Sequence, residues 1–108
     1  MLEVMVNGCY GKMGQIVCDL IEQNENLVLK CGFDKNITGE FAFPVYDKIE
    51  NIVEKPDVII DFSIPVATLT ILQYAVSNHV PIVIATTGFT NEEELIIKEA
   101  SKKISIFK

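Results

Sequence analysis

The stretch from Val4 to Gly14 constrains the fold of this chain of 108 residues more than any other. Its apolar start, residues 4–6, predicts a buried strand, and glycines follow at positions 8, 11 and 14. Apolar residues then recur at helical spacing at Met13, Ile16, Val17, Leu20 and Ile21. Unpaired N–H groups at a helix N-terminus favour anions, and glycine lets the backbone approach a diphosphate closely. Strand, glycine turn and helix in this order therefore predict a phosphate-binding turn.

The glycine spacing departs from the dinucleotide fingerprint. It is GxxGxxG rather than GxGxxG, so Tyr10 replaces the second fingerprint glycine or the motif is shifted by one residue. A tight turn also uses glycine for steric reasons alone, which leaves a structural role open. A second strand pattern, Leu27–Phe33, is followed by Asp34, which lies 20 residues after Gly14. The ribose-binding acid of dinucleotide domains lies roughly 20 residues past the motif. Residues 34–36 are also a good turn sequence, but both features together favour dinucleotide binding.

Composition and charge limit the class of protein. The length fits one domain, and 49% apolar with 22% charged residues is ordinary for a globular α/β domain. The net charge is −6, from nine basic and fifteen acidic residues, which argues against non-specific nucleic-acid binding. No apolar run reaches the roughly 18 residues of a membrane span, and the N-terminus has a strand pattern rather than a basic and apolar leader. We therefore expect a cytoplasmic protein with no nucleic-acid or membrane partner.

The cysteines, Cys9, Cys18 and Cys31, are odd in number and form no CxxC pair. This pattern predicts reduced thiols that mostly pack in the core of a cytoplasmic protein. Cys9 lies in the glycine turn and is the candidate for an accessible thiol. It receives no catalytic role, because no histidine lies nearby in the sequence. No metal site is expected.

The rest of the chain alternates strand and helix patterns. After the first strand, the predicted elements are a helix over 12–24, a strand over 27–33, a surface loop over 35–43, an edge strand over 44–46, a helix over 48–54, a strand over 58–62, a helix over 65–78, a strand over 80–85, a helix from 90 to about 103 and a strand over 104–107. Alternating strands and helices predict an α/β fold, a doubly wound and mostly parallel sheet with helices on both faces.

Local signals refine three of the helices. Asp47 is the expected N-cap of helix 48–54, Ser63 is a cap candidate for helix 65–78 with Pro65 in its first turn, and Thr90 with Glu93 fits a capping box. The side chains expected to face inward are Ile49, Ile52 and Val53 in helix 48–54, and Val66, Leu69, Leu72 and Val76 in helix 65–78.

Ligands of parallel α/β sheets bind beyond the carboxyl ends of the strands. The candidate ligand segments at those ends are residues 8–14, 34–35, 61–63 and 85–88. Three of these segments carry recognisable motifs: NGCYGKMG after the first strand, DFSIP after the fourth and ATTGF after the fifth. In this order the motifs resemble those of the 4-hydroxy-tetrahydrodipicolinate reductase (dihydrodipicolinate reductase) family.

The resemblance covers essentially the whole chain, but only the N-terminal, Rossmann-like cofactor domain of the family. It implies that residues 1–108 are one NAD(P)H-binding domain, using NADH or NADPH. It also implies an oxidoreductase of the diaminopimelate route to lysine. That enzyme reduces 4-hydroxy-tetrahydrodipicolinate to tetrahydrodipicolinate by hydride transfer.

The family motifs imply a role for each matched position. The implied cofactor-binding residues are Gly8, Cys9, Tyr10, Gly11, Lys12, Met13, Asp34, Lys35, Phe62, Ser63, Ala85, Thr86 and Thr87. Residues 8–13 would cradle the diphosphate, and Gly14 would let the helix pack on the sheet. Asp34 would hold the adenosine ribose, and Lys35 could neutralise a 2′-phosphate. Residues 62–63 would line the nicotinamide side. Residues 85–87 would face the carboxamide, and the last of them, a threonine, would also reach a substrate carboxylate.

Two features depart from the family pattern. Ala85 stands where the family usually has glycine. The family chain also continues into a segment that touches the nicotinamide, and then into a second domain with a His-His motif and a lysine; nothing in these 108 residues matches either. The one histidine, His79, is expected to be a solvated loop residue, so no catalytic residue is expected here. The ending directly after a strand suggests a trimmed boundary. Many family members are tetramers through the second domain, which leaves the assembly of this chain open.

Three interpretations remain. The chain is the cofactor domain of a reductase, which binds nucleotide without turnover by itself; or a stand-alone NAD(P)-binding or sensing module; or a flavodoxin-like domain whose glycines serve only the turn. Asp34 favours a free 2′-hydroxyl, whereas Lys35 favours a 2′-phosphate. Use of both cofactors is therefore expected, with affinities within about tenfold, or ~1.4 kcal/mol.

Overall fold

The computed structural model describes residues 1–37 and 42–108. The middle of the surface loop predicted over 35–43, residues 38–41, lies outside the described residues.

Within the described ranges, six strands alternate with three α-helices. The strands are β1 (Leu2–Asn7), β2 (Leu27–Phe33), β3 (Val45–Tyr46), β4 (Val58–Asp61), β5 (Ile82–Ile84) and β6 (Ile106–Phe107), and the helices are α1 (Lys12–Glu22), α2 (Pro65–Asn78) and α3 (Asn91–Ala100). Every pairing between these strands is parallel. The strands form one sheet in the order β3-β2-β1-β4-β5-β6, which confirms the predicted doubly wound α/β fold.

Alternating side chains of the strands build a separate apolar layer on each face of the sheet. Val4 and Val6 pack with Cys18 and Ile21 of α1 on one face. The intervening Met5 joins the larger cluster on the other face, which contains the buried residues of α2 and α3. Helices therefore cover both faces, as predicted.

The face packed by α1 becomes progressively more exposed toward β6. Val6, Ile60, Val83 and Phe107 are register partners across four neighbouring strands. Val6 is fully buried, Val83 is 38% exposed and Phe107 is 75% exposed. Among the described residues, α1 is the helix on this face, and it packs against β1 and β2.

The strand order reverses direction between β1 and β4. From β1 the chain moves outward to β2 and β3, whereas from β4 it moves the opposite way to β5 and β6. The connections on the two sides leave the carboxyl ends of β1 and β4 in opposite directions. This switch point is the place where parallel α/β sheets form a ligand crevice.

The prediction of an α-helix over 48–54 is wrong. Only a 3₁₀ turn forms, Ile49–Asn51, and its N-cap is Lys48 without a side-chain cap bond, not Asp47. So short a run forms too few helical hydrogen bonds to offset the cost of helix nucleation. Two tyrosines fix the segment that follows: the Tyr46 hydroxyl donates to the Glu54 carboxylate, and the Tyr74 hydroxyl donates to the Glu54 carbonyl. Ile49 and Ile52 do pack on the core, as predicted, but Val53 is 82% exposed.

The predicted inner face of α2 is partly wrong. Its buried residues are Thr68, Ile71, Leu72, Tyr74 and Ala75. Leu69 and Val76 pack at the margin of the core, whereas Val66 is 52% exposed. The helix is apolar on nearly every side, so periodicity alone did not define the packed face.

The ends of the elements differ from the predictions by a few residues. Pro65 occupies the first turn of α2 as predicted, but the N-cap is Ile64, and Ser63 does not cap the helix. The predicted capping box at the start of α3 is present. Helix α1 ends at Glu22 and helix α3 at Ala100, before the predicted ends at 24 and 103, and residues 23 and 101–103 form turns. Strands β5 and β6 are also shorter than predicted.

Candidate functional site

The glycine turn after β1 is shaped by contacts that exclude a side chain. The Gly8 N–H donates to the Phe33 carbonyl at 2.8 Å, which ties the turn to the end of β2. Gly8 has a φ of +84°, and a Cβ there would lie 2.2 Å from the Phe62 carbonyl oxygen. A Cβ on Gly14 would lie 1.9 Å from the Gly8 carbonyl oxygen. Gly8 and Gly14 are therefore both required by the packing of the turn, β4 and α1.

Gly11 is less tightly enclosed than Gly8 and Gly14. A Cβ there would meet one atom closer than 4 Å, the Gly8 carbonyl oxygen at 3.2 Å. Gly11 is exposed, has an ordinary φ of −68° and is the N-cap of α1, without a side-chain cap bond. By contrast, Thr90 and Glu93 cap α3 with their own side chains. The N-terminus of α1 therefore keeps its first-turn N–H groups without a side-chain acceptor at the cap.

Asp34 joins the end of β2 to the glycine turn. Its Oδ2 accepts the Tyr10 N–H at 3.0 Å, and its Oδ1 accepts the Asn36 N–H at 3.0 Å. The carboxylate is half-buried, and each of its oxygens can accept more than one hydrogen bond. Asp34, which lies 20 residues after Gly14 in the sequence, is thus in direct hydrogen-bonded contact with the glycine turn.

A cleft of ≈ 280 Å³ lies at the switch point, between the carboxyl ends of β1, β2 and β4. The predicted site residues that line it are Gly8, Gly11, Asp34, Lys35, Phe62 and Ser63. No ligand role was predicted for its other lining residues, which are Asn7, Phe33, Asn36, Ile64 and Ala67.

A second cleft of ≈ 580 Å³ lies at the carboxyl end of β5. It contains the predicted residues Ala85, Thr86 and Thr87, together with Lys108. Lys108 pairs with Glu94 and lies over the Phe89 ring, 5.4 Å from its centroid. The Ser63 N–H donates to the Thr86 hydroxyl oxygen at 3.0 Å, so the two clefts share a hydrogen-bonded border.

The other predicted residues of the glycine turn lie around the first cleft rather than in its lining. Lys12 and Met13 are exposed on α1, and Tyr10 is half-buried.

Cys9 is fully buried, so the prediction of an accessible thiol is wrong. Its sulfur fills the space beside Gly32, where a Cβ would lie 2.6 Å away. Burial, reinforced by the nearby Cys18 and Asp34, raises the pKa of the Cys9 thiol to about 12, so the residue is part of the core.

A buried polar cluster lies beneath the border of the two clefts. Asp61 is fully buried at the end of β4 and accepts hydrogen bonds from the side chains of Asn7, Ser63, Thr68 and Thr86. Asn7 and Thr68 were missed from the sequence. The available signal was an acid at the end of an apolar strand, because a buried carboxylate requires donors.

The remaining candidates for chemistry lie elsewhere. His79 is exposed and follows α2 with a φ of 55°, at the amino edge of the sheet and opposite the clefts. In residues 1–37 and 42–108, no group of three or more His, Cys, Asp or Glu side chains could hold a metal ion. No helix in those ranges is long and apolar enough to span a membrane.

The parallel sheet, the glycine turn and the acid at the switch point define a doubly wound domain of the nucleotide-binding class. Similarity to known proteins identifies the family within this class. The family model for the N-terminus of dihydrodipicolinate reductase matches residues 2–108, and the chain belongs to that family. The resemblance of the three motifs is thereby confirmed.

Similar proteins match at full coverage of this chain. The 4-hydroxy-tetrahydrodipicolinate reductases of Caldanaerobacter subterraneus subsp. tengcongensis and Clostridium tetani are 41% and 36% identical over 108 residues. That match covers 100% of this chain, but 43% and 42% of the two relatives. A dipicolinate-bound dihydrodipicolinate reductase from Paenisporosarcina sp. TG-14 superposes with a TM-score of 0.77 at 29% identity, over 94% of this chain and 43% of that one. The chain thus spans less than half the length of these relatives.

Proposed function

We propose that residues 1–108 are the NAD(P)H-binding domain of a 4-hydroxy-tetrahydrodipicolinate reductase. The enzyme would reduce 4-hydroxy-tetrahydrodipicolinate to tetrahydrodipicolinate by hydride transfer, in the diaminopimelate route to lysine. The observation that carries the proposal is the bond between the Asp34 carboxylate and the Tyr10 N–H. It brings the ribose-binding acid and the phosphate-binding turn to one cleft at the switch point.

The diphosphate is proposed to lie over Gly11 and the N-terminus of α1. Gly11 is exposed and less enclosed than Gly8 and Gly14, and the absence of a side chain at this residue leaves room for a diphosphate close to the backbone. The N-terminal dipole of α1 and its uncapped amides favour a negative charge at this position. Lys12, exposed in the first turn, adds a cation on the same side.

The adenosine ribose is proposed to bind at Asp34. Both carboxylate oxygens already accept a backbone N–H, which fixes the orientation of the carboxylate while leaving acceptor capacity for the 2′- and 3′-hydroxyls. Lys35 is exposed at the rim of the same cleft, where its ammonium can meet a 2′-phosphate. Asp34 then favours NADH and Lys35 favours NADPH, so both are expected to bind with affinities within about tenfold.

The nicotinamide end is proposed to occupy the border between the two clefts, near Phe62 and residues 85–87. The nicotinamide, when bound, supplies the hydride, and this domain binds and orients it. The hydroxyls of Ser63 and Thr86 already bond Asp61, so these two residues would contact the ring through their main chain. Thr87 is exposed, and its hydroxyl would reach a substrate carboxylate.

Residues 1–108 alone are proposed to bind cofactor without turnover. Their one histidine lies at the edge of the sheet opposite the clefts, where it cannot donate a proton to a substrate beside the nicotinamide. A coupled assay of the purified chain with NADPH and enzymatically generated substrate should show no rate above the uncatalysed background. Clear steady-state turnover would contradict this part of the proposal.

Cofactor binding is tested by titrating the chain with NADH and NADPH and following nicotinamide fluorescence. Micromolar to high micromolar binding of either is expected. Lys35→Ala should weaken NADPH binding about tenfold and NADH binding less than about threefold, because only NADPH carries the 2′-phosphate. Lys103→Ala removes the same charge beyond the end of α3 and is the matched control, which should change neither affinity. An equal loss of both cofactors in Lys35→Ala would refute the assignment of Lys35.

A further inference from the structure

The carboxylate of Asp61 is unusual for a residue in the centre of a sheet. Its side chain has no exposure to solvent, and none of the ion pairs among residues 1–37 and 42–108 includes it. Burial of a carboxylate without a cation is costly unless hydrogen bonds replace its hydration. Removal of the carboxylate alone would leave its buried donors without an acceptor, which is also costly. The acid is therefore tied to the donors that surround it.

Four donors from four different segments converge on this carboxylate. Oδ1 accepts from Asn7 Nδ2 at 3.0 Å and from the Ser63 hydroxyl at 2.5 Å. Oδ2 accepts from the Thr68 hydroxyl at 2.5 Å and from the Thr86 hydroxyl at 2.8 Å. Asn7 ends β1, Ser63 follows β4, Thr68 belongs to α2, and Thr86 follows β5. Asn7 and Ser63 line the first cleft, and Thr86 lines the second.

We propose that Asp61 is a positioning residue for the nicotinamide end of the cofactor site. Without touching the ligand, it sets the positions of the strand-end segments that contain Asn7, Ser63 and Thr86. This inference rests on the proposed function of the domain. It goes beyond that function because Asp61 lines neither cleft and lies beneath their border.

The Thr86 hydroxyl shows how one carboxylate sets the backbone above it. A hydroxyl has one proton, and the proton of Thr86 is directed at Asp61 Oδ2. Its oxygen is therefore oriented to accept the Ser63 N–H at 3.0 Å. The polarity of this chain of hydrogen bonds is fixed by its acceptor end, Asp61. An asparagine there can keep an oxygen toward Asn7 Nδ2 only by turning its own Nδ2 toward Thr68 and Thr86, and the Thr86 hydroxyl then loses its acceptor.

The same network reaches the glycine turn. Asn7 directs its Nδ2 group at Asp61, at the Ser63 hydroxyl (3.3 Å) and at the Ala67 carbonyl (3.3 Å). The Phe62 carbonyl oxygen lies so close to the turn that a Cβ on Gly8 would be 2.2 Å from it. Residues 62–63 therefore pack directly against the start of the turn.

The decisive variant is Asp61→Asn, which keeps the shape of the side chain but disrupts the donor–acceptor pattern. NADH and 5′-AMP are titrated by calorimetry into wild type and variant. 5′-AMP is the probe for the adenosine end, which Asp34 and the turn hold. We expect NADH to bind about tenfold more weakly, or ~1.4 kcal/mol, and 5′-AMP to change less than about threefold. A partly unfolded variant would lose both ligands in proportion, so this split separates positioning from stability.

A second pair of variants guards against failure of Asp61→Asn to fold. Thr86→Val removes the bridging hydroxyl at nearly constant volume, and Thr86→Ser restores it. Thr86→Val should show the same selective loss of NADH, and Thr86→Ser should bind as wild type does. Wild-type affinity for NADH in both Asp61→Asn and Thr86→Val, or a parallel loss of NADH and 5′-AMP, overturns the positioning role while the proposed function stands. Absence of NADH binding by wild type overturns both.

Discussion

At the scale of single residues, the three glycines of the turn differ in how tightly their surroundings exclude a side chain. Gly8 and Gly14 allow backbone contacts that no side chain permits, and a Cβ at either would lie within 2.2 Å of a carbonyl oxygen. Gly11 has ordinary torsion angles, and a Cβ there would lie 3.2 Å from the Gly8 carbonyl oxygen. The fold thus excludes a side chain at two of the glycines, and the third is the one proposed to make room for a ligand.

This difference predicts different consequences for two alanine variants. Gly11→Ala should lower the free energy of unfolding by about 1 kcal/mol, because alanine is a poorer N-cap than glycine and its Cβ would lie 3.2 Å from the Gly8 carbonyl oxygen. It should also weaken NADH binding about tenfold, because the added methyl group occupies the path of the diphosphate. Gly14→Ala is the contrasting variant and should lose about 3 kcal/mol or more. Urea unfolding and a fluorescence titration measure both quantities, and unchanged NADH affinity in a folded Gly11→Ala would place the diphosphate elsewhere.

The buried thiols predict how stability depends on pH. Burial raises the pKa of Cys9 and Cys31 to about 12 and that of Cys18 to about 11, from an ordinary 9.0. Above pH 9 the unfolded chain therefore loses thiol protons that the folded chain keeps, so stability falls as the pH rises from about 9 to about 12. The urea midpoint should be lower at about pH 10.5 than at about pH 8. Cys18→Ala should show a smaller drop, and an identical drop would assign the effect to other groups.

Single residues also show how far sequence patterns extend. The distance from Gly14 to Asp34 was predictive, because one strand–helix–strand unit has a nearly constant length. Asn7 and Asp61 are 54 residues apart along the chain and bond at 3.0 Å. Such a contact depends on the order of strands in the sheet, which neither residue type reveals. The burial of Cys9 was missed for the same reason, since the glycine beside its sulfur belongs to β2.

At the scale of secondary-structure elements, local signals were reliable where the chain itself provides the partner. The capping box of α3 is complete within four consecutive residues: Thr90 Oγ1 accepts the Glu93 N–H at 3.1 Å, and the Thr90 N–H donates to the Glu93 carboxylate at 2.8 Å. The inner face of α2 and the 3₁₀ turn at Ile49–Asn51 depend instead on neighbours distant in sequence. Tertiary contacts decided those elements, and propensity did not.

The capping box gives a prediction for this element. Thr90→Ala should lower the free energy of unfolding by about 1 kcal/mol, because the first-turn amides of α3 lose their side-chain acceptor. Thr70→Ala is the matched control, since the Thr70 hydroxyl bonds the Val66 carbonyl within α2 and caps nothing. Urea denaturation followed by circular dichroism compares the two. Equal effects of both substitutions would show that the box adds nothing to stability.

At the scale of the whole molecule, the alternation of strands and helices was enough to predict the architecture. The sheet order was not given by the alternation, yet it creates the switch point where the glycine turn, Asp34 and Ser63 meet. The same order places Val83 and Phe107 on a face that α1 does not reach, and both are exposed. The cleft at the switch point thus lies at the strands nearest the centre of the sheet, where helices cover both faces.

The central claim is that the dinucleotide binds at the carboxyl ends of β1, β2 and β4. The most direct test is to add NADH to isotope-labelled chain and to follow the backbone amide shifts by NMR. Saturable shifts are predicted for residues 8–14, 34–36 and 61–63, with smaller ones at 85–87. Shifts confined to residues of α2 and α3, or no shifts at millimolar NADH, would contradict the claim.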